Sequence, residues 1–270
     1  MTYTVIGGSG FIGSAMCNYL KNNNKNVFIP ERDYHFSAGE DLGIFFYCAG
    51  YGDCINNYDN VIDANVLLLR KILNNVKFKK LVYVSSTRVY MNENCAKENA
   101  DLLICHNDNR KLFNLMKLAA EEICRLSKRN VIIVRPSNVY GLALNSKLFL
   151  PQIIKNAILN NKIDMYVAPE YSKDYVSVDD LVHIMFELAH KEFNDVQTFN
   201  IASGVNTSAA QIADIIKRKT NCEVIWHDVN IQEKFPVTDI TKINELVAHN
   251  YRDVISDLSK MIDVFYNELH

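Results

Sequence analysis

Short runs of β-branched and aromatic residues alternate with segments of helical periodicity along the first half of the chain. The apolar runs predict strands at Tyr3–Gly7, Val27–Ile29, Ile44–Cys48, Leu81–Ser85 and Val131–Arg135. The periodic segments predict helices at Ile12–Asn22, Val61–Val76 and Lys111–Lys128. The strands are almost continuously apolar, as is typical of strands that are buried on both faces. This order of elements predicts βαβ units and a doubly wound parallel sheet, in the α/β class.

The pattern of apolar positions becomes looser after Gly141. Further helices are predicted at Leu150–Asn160, Asp179–His190, Ser208–Lys219 and Val254–Leu269. Further strands are predicted at Met165–Val167, Tyr175–Val178, Thr198–Ile201 and Glu223–Trp226. In the first half, the connection from Glu31 to Gly43 is too short for a full crossover with a helix, so we expect a loop there.

Composition limits the classes of function. The chain has 270 residues, of which 49% are apolar, and a net charge of −2, which argues against a nucleic-acid partner. We find neither a charged and apolar leader nor an apolar run of about 18 residues, so we expect a cytoplasmic protein without membrane insertion. The seven cysteines are scattered, and no His, Cys or Asp residues have metal-site spacing, so we expect reduced thiols and no metal.

Three glycines connect the first predicted strand to the first predicted helix. They are Gly7, Gly10 and Gly13, and such a loop permits a tight turn, the close approach of a pyrophosphate and close helix–strand packing. The helix N-terminus then faces the phosphate charge. The context predicts a dinucleotide site in a Rossmann-type core at residues 1–141, to which the chain returns later. Residues 142–270 are then mainly a smaller α/β lobe for the substrate.

The choice between the two nicotinamide cofactors rests on the end of the second predicted strand. Glu31 lies about 20 residues beyond the glycine loop, where a carboxylate binds the ribose hydroxyls of NAD. Arg32 is adjacent and could hold the 2′-phosphate of NADP through bidentate hydrogen bonds. Both cofactors therefore stay open, and Arg32 slightly favours NADP.

Further motifs occur in the order and spacing of one family. They are Tyr47-Cys-Ala-Gly50, Asn65 in a helix, Val84-Ser-Ser-Thr-Arg-Val-Tyr90, Arg135-Pro-Ser-Asn-Val-Tyr-Gly141, Lys173-Asp-Tyr-Val-Ser-Val-Asp-Asp180 and Phe199-Asn-Ile-Ala-Ser-Gly204. With them the chain resembles, over nearly its whole length, the extended short-chain dehydrogenase/reductases of the NAD-dependent epimerase/dehydratase family. The resemblance implies a nucleotide-sugar substrate. It also implies a homodimer built from the two long helices at Val61–Val76 and Lys111–Lys128.

The same resemblance implies the catalytic residues. In that family a Ser or Thr, a Tyr and a Lys perform the chemistry, with the Tyr and the Lys four residues apart on one helix face. Ser86 takes the hydroxyl role, with Thr87 as a neighbouring candidate, and Lys117 takes the lysine role. Phe113 stands at the position of the tyrosine, and a phenyl ring has no proton to exchange. Tyr90 is interpreted as structural.

Three explanations of Phe113 stay open. Phe113 is an engineered replacement for tyrosine that traps a bound substrate, or the natural protein uses another acid. In the second case the candidates are Ser86, Thr87, His106 and a water bound with the substrate. In the third explanation, the chain is a non-catalytic NAD(P)-binding sensor that has kept the pocket.

The resemblance also implies the contacts of both ligands. The expected cofactor contacts are Gly7, Ser9, Gly10, Phe11, Ile12, Gly13, Glu31, Arg32, Cys48, Ala49, Gly50, Asn65, Val84, Ser85, Lys117, Pro136, Asn138 and Val139. The expected substrate contacts are Ser86, Thr87, Asn138, Lys147, Lys173 and Tyr175. The alternatives without ligand contact are a turn-forming role for Asn138 and a surface position for Lys173.

The predicted activity is that of a nucleotide-sugar oxidoreductase. We favour a reductase of a 4-keto-deoxysugar nucleotide in the synthesis of surface polysaccharide, as in lipopolysaccharide or capsule. The reason is that the short chain and its short Glu31–Gly43 connection resemble the smaller ketoreductases of the family. An epimerase or a dehydratase is the alternative.

Overall fold

Parallel strands form the central layer of the computed structural model, which describes residues 1–144, 146, 148–228 and 233–269. The described strands are β1 (Thr2–Ile6), β2 (Asn26–Phe28), β3 (Ile44–Tyr47), β4 (Lys80–Val84), β5 (Val131–Pro136), β6 (Asn138–Tyr140), β7 (Lys162–Met165), β8 (Ser172–Ser177), β9 (Gln197–Ile201), β10 (Asn206–Ser208) and β11 (Glu223–Trp226). The central sheet has the order β2-β1-β3-β4-β5-β9, and all its strands are parallel. Two small sheets have the orders β10-β8-β6 and β11-β7.

Helices cover both faces of the central sheet. The described helices are α1 (Phe11–Asn22), α2 (Tyr58–Ile62), a π-helical segment (Asp63–Leu67), α3 (Leu68–Asn75), a 3-10 turn (Thr87–Tyr90), α4 (Lys111–Leu126), α5 (Phe149–Asn160), α6 (Val178–Ala189), α7 (Ala209–Thr220), α8 (Thr241–Asn244) and α9 (Val254–Leu269). Helices α1 and α6 pack on one face, and α3 and α4 pack on the other. The predicted Rossmann-type parallel sheet with flanking helices is therefore confirmed.

Alternation along the strands explains the two layers. In β1, Val5 packs with the α1 and α6 side, and its neighbour Ile6 packs with the α3 and α4 side. In β4, Val82 and Tyr83 divide between the two faces in the same way. Both faces are buried, in agreement with the mostly apolar residues of β3, β4 and β5.

A second core lies in the C-terminal half. Helices α5, α7 and α9 pack around β7 and β8 through buried apolar residues such as Ile154, Ile216 and Phe265. Strand β9 and helix α6, however, belong to the layers of the central sheet, although both follow residue 141. The chain thus passes from the first core to the second and back again.

Several predicted elements differ from the structure. The strand predicted at Met165–Val167 is wrong, since β7 is Lys162–Met165, and its Ile163 and Met165 point inward in alternation while Tyr166 is exposed. The helix predicted at Val61–Val76 contains the unpredicted π-helical segment. Strands β6 and β10, helix α8 and the 3-10 turn were not predicted either, because each has only three or four residues.

Residues 31–43, all of them described, contain no helix, in agreement with the short connection. Within the described part of the chain, no helix has both the length and the apolar character that a membrane span requires. The helices predicted to form a dimer contact expose Leu67 and Leu115 to solvent, and the dimer stays a prediction.

Candidate active site

The glycine loop joins β1 to α1 and leaves no room for side chains. Gly7 has a φ of +77°, and a Cβ atom there would lie 2.7 Å from the backbone nitrogen of Ala49. A Cβ atom on Gly13 would lie 2.1 Å from the carbonyl oxygen of Gly7. Helix α1 begins at Phe11, and no side chain caps its N-terminus. The backbone therefore forms a cradle with free N–H groups, which fits the pyrophosphate of a dinucleotide.

A buried amide lies beside this cradle. Asn65 is in the π-helical segment and is fully buried, and its Nδ2 donates to the carbonyl oxygens of Val61 (2.8 Å) and Tyr51 (3.0 Å). No described residue donates a hydrogen bond to its Oδ1. A Cβ atom on Gly50 would lie 3.3 Å from both Asn65 Oδ1 and Lys117 Nζ, so these two groups border the same site. An unpaired acceptor beside an ammonium group fits a polar ligand.

Lys117 brings a buried positive charge to the carboxyl end of β4. Its Nζ donates a hydrogen bond of 2.8 Å to the carbonyl oxygen of Val84. Burial lowers the pKa of Lys117 to about 8, although Glu121 and then Cys48 act in the opposite direction. An ammonium group has three N–H donors, so two remain for a ligand. Lys117 can therefore bind ribose hydroxyls, as the resemblance implies.

Phe113 lies on the same face of α4 as Lys117. The centre of its ring is 5.6 Å from Lys117 Nζ and 4.7 Å from the Arg110 guanidinium carbon. A Cβ atom on Gly52 would lie 3.2 Å from Arg110 Nη2, so the absence of a side chain there makes room for the stacked pair. The ring occupies the position of the expected tyrosine, and two cations contact it.

Ser86 and Thr87 lie at the start of the 3-10 turn after β4. Ser86 Oγ accepts a hydrogen bond of 3.1 Å from the backbone nitrogen of Arg88, so its hydroxyl proton is free to donate. Thr87 is mostly buried. Ser85, a predicted cofactor contact, instead donates its hydroxyl proton to Glu121 Oε1 (2.6 Å).

Ser85 belongs to a largely buried network, which we call the Glu121 cluster: Ser85, Tyr90, Glu121 and Arg135, with Arg125 donating to Glu121 Oε2 (3.1 Å) from its edge. Glu121 Oε2 accepts a 2.6 Å hydrogen bond from Arg135 Nη2, and Arg135 Nη1 donates to the hydroxyl of Tyr90 at 2.6 Å. Burial raises the pKa of Glu121, but Arg135 outweighs burial and holds the pKa below its usual range. The Tyr90 hydroxyl is engaged within this network, as expected of a structural residue.

The predicted residues that select the cofactor lie at the surface. Glu31 and Arg32 are both exposed, and Arg32 Nη2 donates a hydrogen bond of 3.2 Å to Asn60 Oδ1. The other predicted cofactor contacts near the sheet edge are Cys48, Ala49, Pro136 and Val139. Cys48 follows β3 directly, and burial raises the pKa of its thiol to about 12. This thiol is therefore neutral near pH 7.

A cavity of about 420 Å³ separates the end of the central sheet from the second core. Arg110, Asn138, Tyr171, Lys173 and Tyr175 are among its lining residues. Asn138 Nδ2 donates to the carbonyl oxygen of Asp174 at 2.8 Å, so its amide is partly committed to positioning β8 against β6. The predicted substrate contact Lys147 lies outside the described residues.

Lys173 is held at the cavity by aromatic and acidic neighbours. Its Nζ lies 4.8 Å from the ring centre of Tyr171 and 4.6 Å from that of Phe235. The same atom is 3.8 Å from Glu233 Oε2. Burial lowers the pKa of Lys173 to about 8, although Glu233 raises it. Lys173 is therefore a cavity residue and not a freely solvated surface lysine.

A second charge network was not predicted from the sequence. We call it the Arg88 cluster: Arg88, Asp108, Tyr171, Lys173 and Glu233. Arg88 Nη2 donates to Asp108 Oδ1 (2.7 Å) and Glu233 Oε1 (2.8 Å), and Glu233 Oε2 accepts from the Tyr171 hydroxyl (2.9 Å). Arg88 lies inside a motif of the sequence analysis, but its partners are far away along the chain. No local pattern could have identified them.

Comparison with known proteins places this geometry in a family. The model of the NAD dependent epimerase/dehydratase family matches residues 40–202, which is more than half of the chain. The chain belongs to this family. The matched range includes Ser86, Phe113, Lys117 and Lys173, and the glycine loop precedes it.

Relatives of this epimerase/dehydratase family member span its whole length. UDP-glucose 4-epimerase from Mycoplasma genitalium is 22% identical, over 98% of this chain and 97% of the relative. The structure of MoeE5 in complex with UDP-glucose and NAD covers 100% of both chains, with 18% identity and a TM-score of 0.85. A tyrosine-to-phenylalanine mutant of UDP-glucuronic acid 4-epimerase from Bacillus cereus, in complex with UDP-4-deoxy-4-fluoro-glucuronic acid and NAD, covers 100% of both chains, with 17% identity and a TM-score of 0.82. These structural likenesses extend the shared fold over the entire chain.

In the described part of this family member, no three His, Cys, Asp or Glu side chains are grouped so that they could hold a metal ion. The polar groups of the candidate site include the Ser86 hydroxyl and the cations Arg110, Lys117 and Lys173. They suit binding of anions and hydroxyl groups.

Proposed function

We propose that this chain is an enzyme that binds NAD and a nucleoside diphosphate sugar. In its reaction a hydride moves between one sugar carbon and NAD, while the hydroxyl oxygen on that carbon loses and regains its proton. The observation that carries the proposal is the position of Lys117, buried beside the Phe113 ring at the edge of the sheet where the glycine loop lies. Bound NAD would supply the hydride acceptor and donor. Residues of this chain would bind and orient both ligands and assist the proton transfer.

The residues present fit the cofactor. The glycine cradle and the N-terminus of α1 would hold the pyrophosphate, and Lys117 would donate to the nicotinamide ribose with the N–H groups that Val84 leaves free. Asn65 Oδ1 would accept a hydrogen bond from the same ligand or from Lys117.

The cavity residues fit a nucleotide sugar. Lys173 lines the cavity and would bind a phosphate of the diphosphate. Ser86, which lies after β4 and not in the cavity lining, would donate its hydroxyl proton to a sugar oxygen. The names of the relatives support a UDP-sugar, because they include a UDP-glucose 4-epimerase and a structure with bound UDP-glucose. We therefore take UDP-glucose as the first substrate to test.

We propose epimerisation as the reaction, since the relative named as a UDP-glucose 4-epimerase aligns with 98% of the chain. In this reaction the hydride returns to the same sugar carbon, so NAD is regenerated in each cycle. The reductase of a 4-keto sugar nucleotide is the second candidate, favoured by the short loop at residues 31–43. A reductase would consume one reduced nicotinamide for each turnover, which distinguishes the two reactions.

We propose NAD as the preferred cofactor, although Arg32 slightly favours NADP in the sequence. Arg32 has Asn60 as a hydrogen-bond partner, and the two neighbouring structures described above contain NAD. Glu31 is exposed beyond the end of β2 and is free to accept from ribose hydroxyls.

Turnover before and after substitution of Phe113→Tyr tests this function. With NAD and UDP-glucose, we expect the substitution to raise the rate of 4-epimer formation about 100-fold, because a hydroxyl beside Lys117 restores a proton donor. Product is measured by chromatography of the nucleotide sugars, and reduced nicotinamide is followed by absorbance. A 4-keto sugar nucleotide with NADH or NADPH is assayed in parallel.

Phe78→Tyr is the matched control, since it adds the same hydroxyl to a ring that also stacks on an arginine. Phe78 contacts Arg129 and precedes β4, at the opposite end of the strands from the glycine loop. This variant should leave the rate unchanged. If neither the unsubstituted chain nor Phe113→Tyr converts any nucleotide sugar of a broad panel, the enzymatic function is wrong. The non-catalytic sensor then becomes the better explanation.

A further inference from the structure

Arg110 connects the reaction centre to the cavity. Its guanidinium stacks on the Phe113 ring at 4.7 Å, and the same side chain lines the cavity that holds Lys173. Arg110, Phe113 and Lys117 are spaced so that they lie on one face at the start of α4. A ligand group that reaches Phe113 from the cavity therefore meets Arg110.

Hydrogen bonds fix the backbone of Arg110, whereas its guanidinium stacks on Phe113 and has no hydrogen-bond acceptor among the described residues. The backbone nitrogen of Arg110 donates to Asp108 Oδ1 (2.8 Å), and its carbonyl oxygen accepts from the backbone nitrogen of Asn114 (3.2 Å). The nearby carboxylates of Asp108 and Glu233 are both engaged by Arg88. No described residue accepts a hydrogen bond from the Arg110 guanidinium, and the side chain is exposed.

We propose that Arg110 is a catalytic residue of this chain, whose guanidinium, stacked on Phe113, donates a hydrogen bond to the sugar oxygen that a tyrosine hydroxyl at position 113 would contact. The proposal rests on the proposed function, since it needs a sugar at this end of the cavity. The phenyl ring then serves as the platform that holds the cation.

Arg110 takes over the electrostatic part of the tyrosine's role. A guanidinium keeps its proton throughout the ordinary pH range, so it neither takes nor gives the hydroxyl proton. That proton passes to a water molecule bound with the substrate, the hydride passes from the carbon to NAD, and Arg110 stabilises the negative charge that develops on the oxygen; both transfers are reversed when the product hydroxyl forms. A single donor aimed at a developing oxyanion is worth about 10²–10³ in rate. Gly52 contributes by leaving the space in which Arg110 Nη2 lies.

A double-mutant cycle tests the exchange of roles between Arg110 and position 113. The rates of UDP-glucose epimerisation with NAD are measured for the unsubstituted chain, Arg110→Ala, Phe113→Tyr and the double variant. We expect Arg110→Ala to lower the rate about 100-fold beside Phe113 and less than fivefold beside the introduced tyrosine. An equal loss in both backgrounds would overturn the proposal.

Calorimetric binding gives a readout that needs no turnover. With NAD present, we expect Arg110→Ala to weaken UDP-glucose binding about tenfold and to leave UDP binding within twofold. Equal weakening of both ligands would make Arg110 a phosphate ligand and would overturn the proposal. Lys111→Ala is the matched control, because it removes a positive charge from the same helix end, where its Nζ donates to the His106 carbonyl oxygen (2.9 Å).

The two proposals fail in different ways. If the unsubstituted chain binds neither UDP-glucose nor another nucleotide sugar, the proposed function fails, and the role of Arg110 fails with it. If the chain binds UDP-glucose and Arg110→Ala changes neither its affinity nor the rate, only the role of Arg110 is wrong. If the chain binds UDP-glucose more tightly than UDP but no variant turns over, the effect of Arg110→Ala on the two affinities decides whether Arg110 contacts the sugar.

Discussion

The Glu121 cluster and the Arg88 cluster both join charged side chains of distant segments, but one is closed and the other is open. Glu121 is fully buried: its Oε1 accepts hydrogen bonds from Ser85 and Arg135, and its Oε2 accepts from Arg135 and from Arg125, which lies at the edge of the cluster. In the Arg88 cluster, the Glu233 side chain is 32% exposed and the Lys173 side chain is 21% exposed.

This difference in exposure indicates that the Glu121 cluster stabilises the fold, whereas the Arg88 cluster can bind a ligand. The buried Glu121–Arg135 pair is satisfied by hydrogen bonds within the protein, so it holds β4, β5 and α4 together. An open cluster at a cavity keeps donors that a phosphate can use. Charge alone therefore does not mark a binding site, whereas unused hydrogen-bonding capacity beside a cavity does.

The largest effect that we predict is a loss of stability when the Glu121 cluster is broken. Glu121→Ala leaves the Arg135 guanidinium buried without its partner, so we expect the free energy of unfolding to fall by about 3–5 kcal/mol. Denaturant unfolding measures this change. Glu122→Ala is the control, since the Glu122 side chain is 58% exposed and its loss should cost less than about 0.5 kcal/mol. Similar losses for both variants would contradict the closed character of the cluster.

A smaller effect is expected from the titration of Lys117, which lies one helical turn before Glu121 in α4. Its pKa is lowered to about 8, so the ammonium is mostly protonated at pH 7 and mostly neutral at pH 9.5. Because the protonated form is the better donor to NAD, we expect the dissociation constant of NAD to rise about tenfold over this interval. Calorimetry at three pH values measures it.

Two lysine variants serve as controls for this titration. Lys117→Met should weaken NAD binding and remove its dependence on pH, whereas Lys173→Met should preserve that dependence. An unchanged pH profile in Lys117→Met would mean that another group titrates.

The smallest effect concerns the open cluster. We expect Lys173→Met to weaken UDP binding about fivefold at pH 7, since one partly exposed charge is lost, and to leave the free energy of unfolding nearly unchanged. Lys162→Met is the control, because Lys162 pairs with Asp164 outside the cavity, and UDP binding should stay within twofold. A loss of stability as large as that of Glu121→Ala would make the open cluster structural and would remove the contrast.

The parts of the active site that are local in the chain were predictable. A tight turn needs glycine, so the spacing of Gly7 and Gly13 by itself indicates the cradle. Helix periodicity likewise predicts that Phe113 and Lys117 share one face. Continuous apolar strands predict a doubly covered parallel sheet.

Only the tertiary structure decided the pairing of charges and the environment of each group. Arg88 and Glu233 meet although 145 residues separate them, and such a pairing has no periodic signal. The lowered pKa of Lys117 arises from burial among residues of several elements. The sequence thus determined the fold, the cradle and the missing hydroxyl at Phe113, because these depend on backbone conformation, periodicity and residue type. The stacking of Arg110 on the Phe113 ring is visible only in the tertiary structure, because contacts between a helix end and a cavity depend on packing that no local pattern encodes.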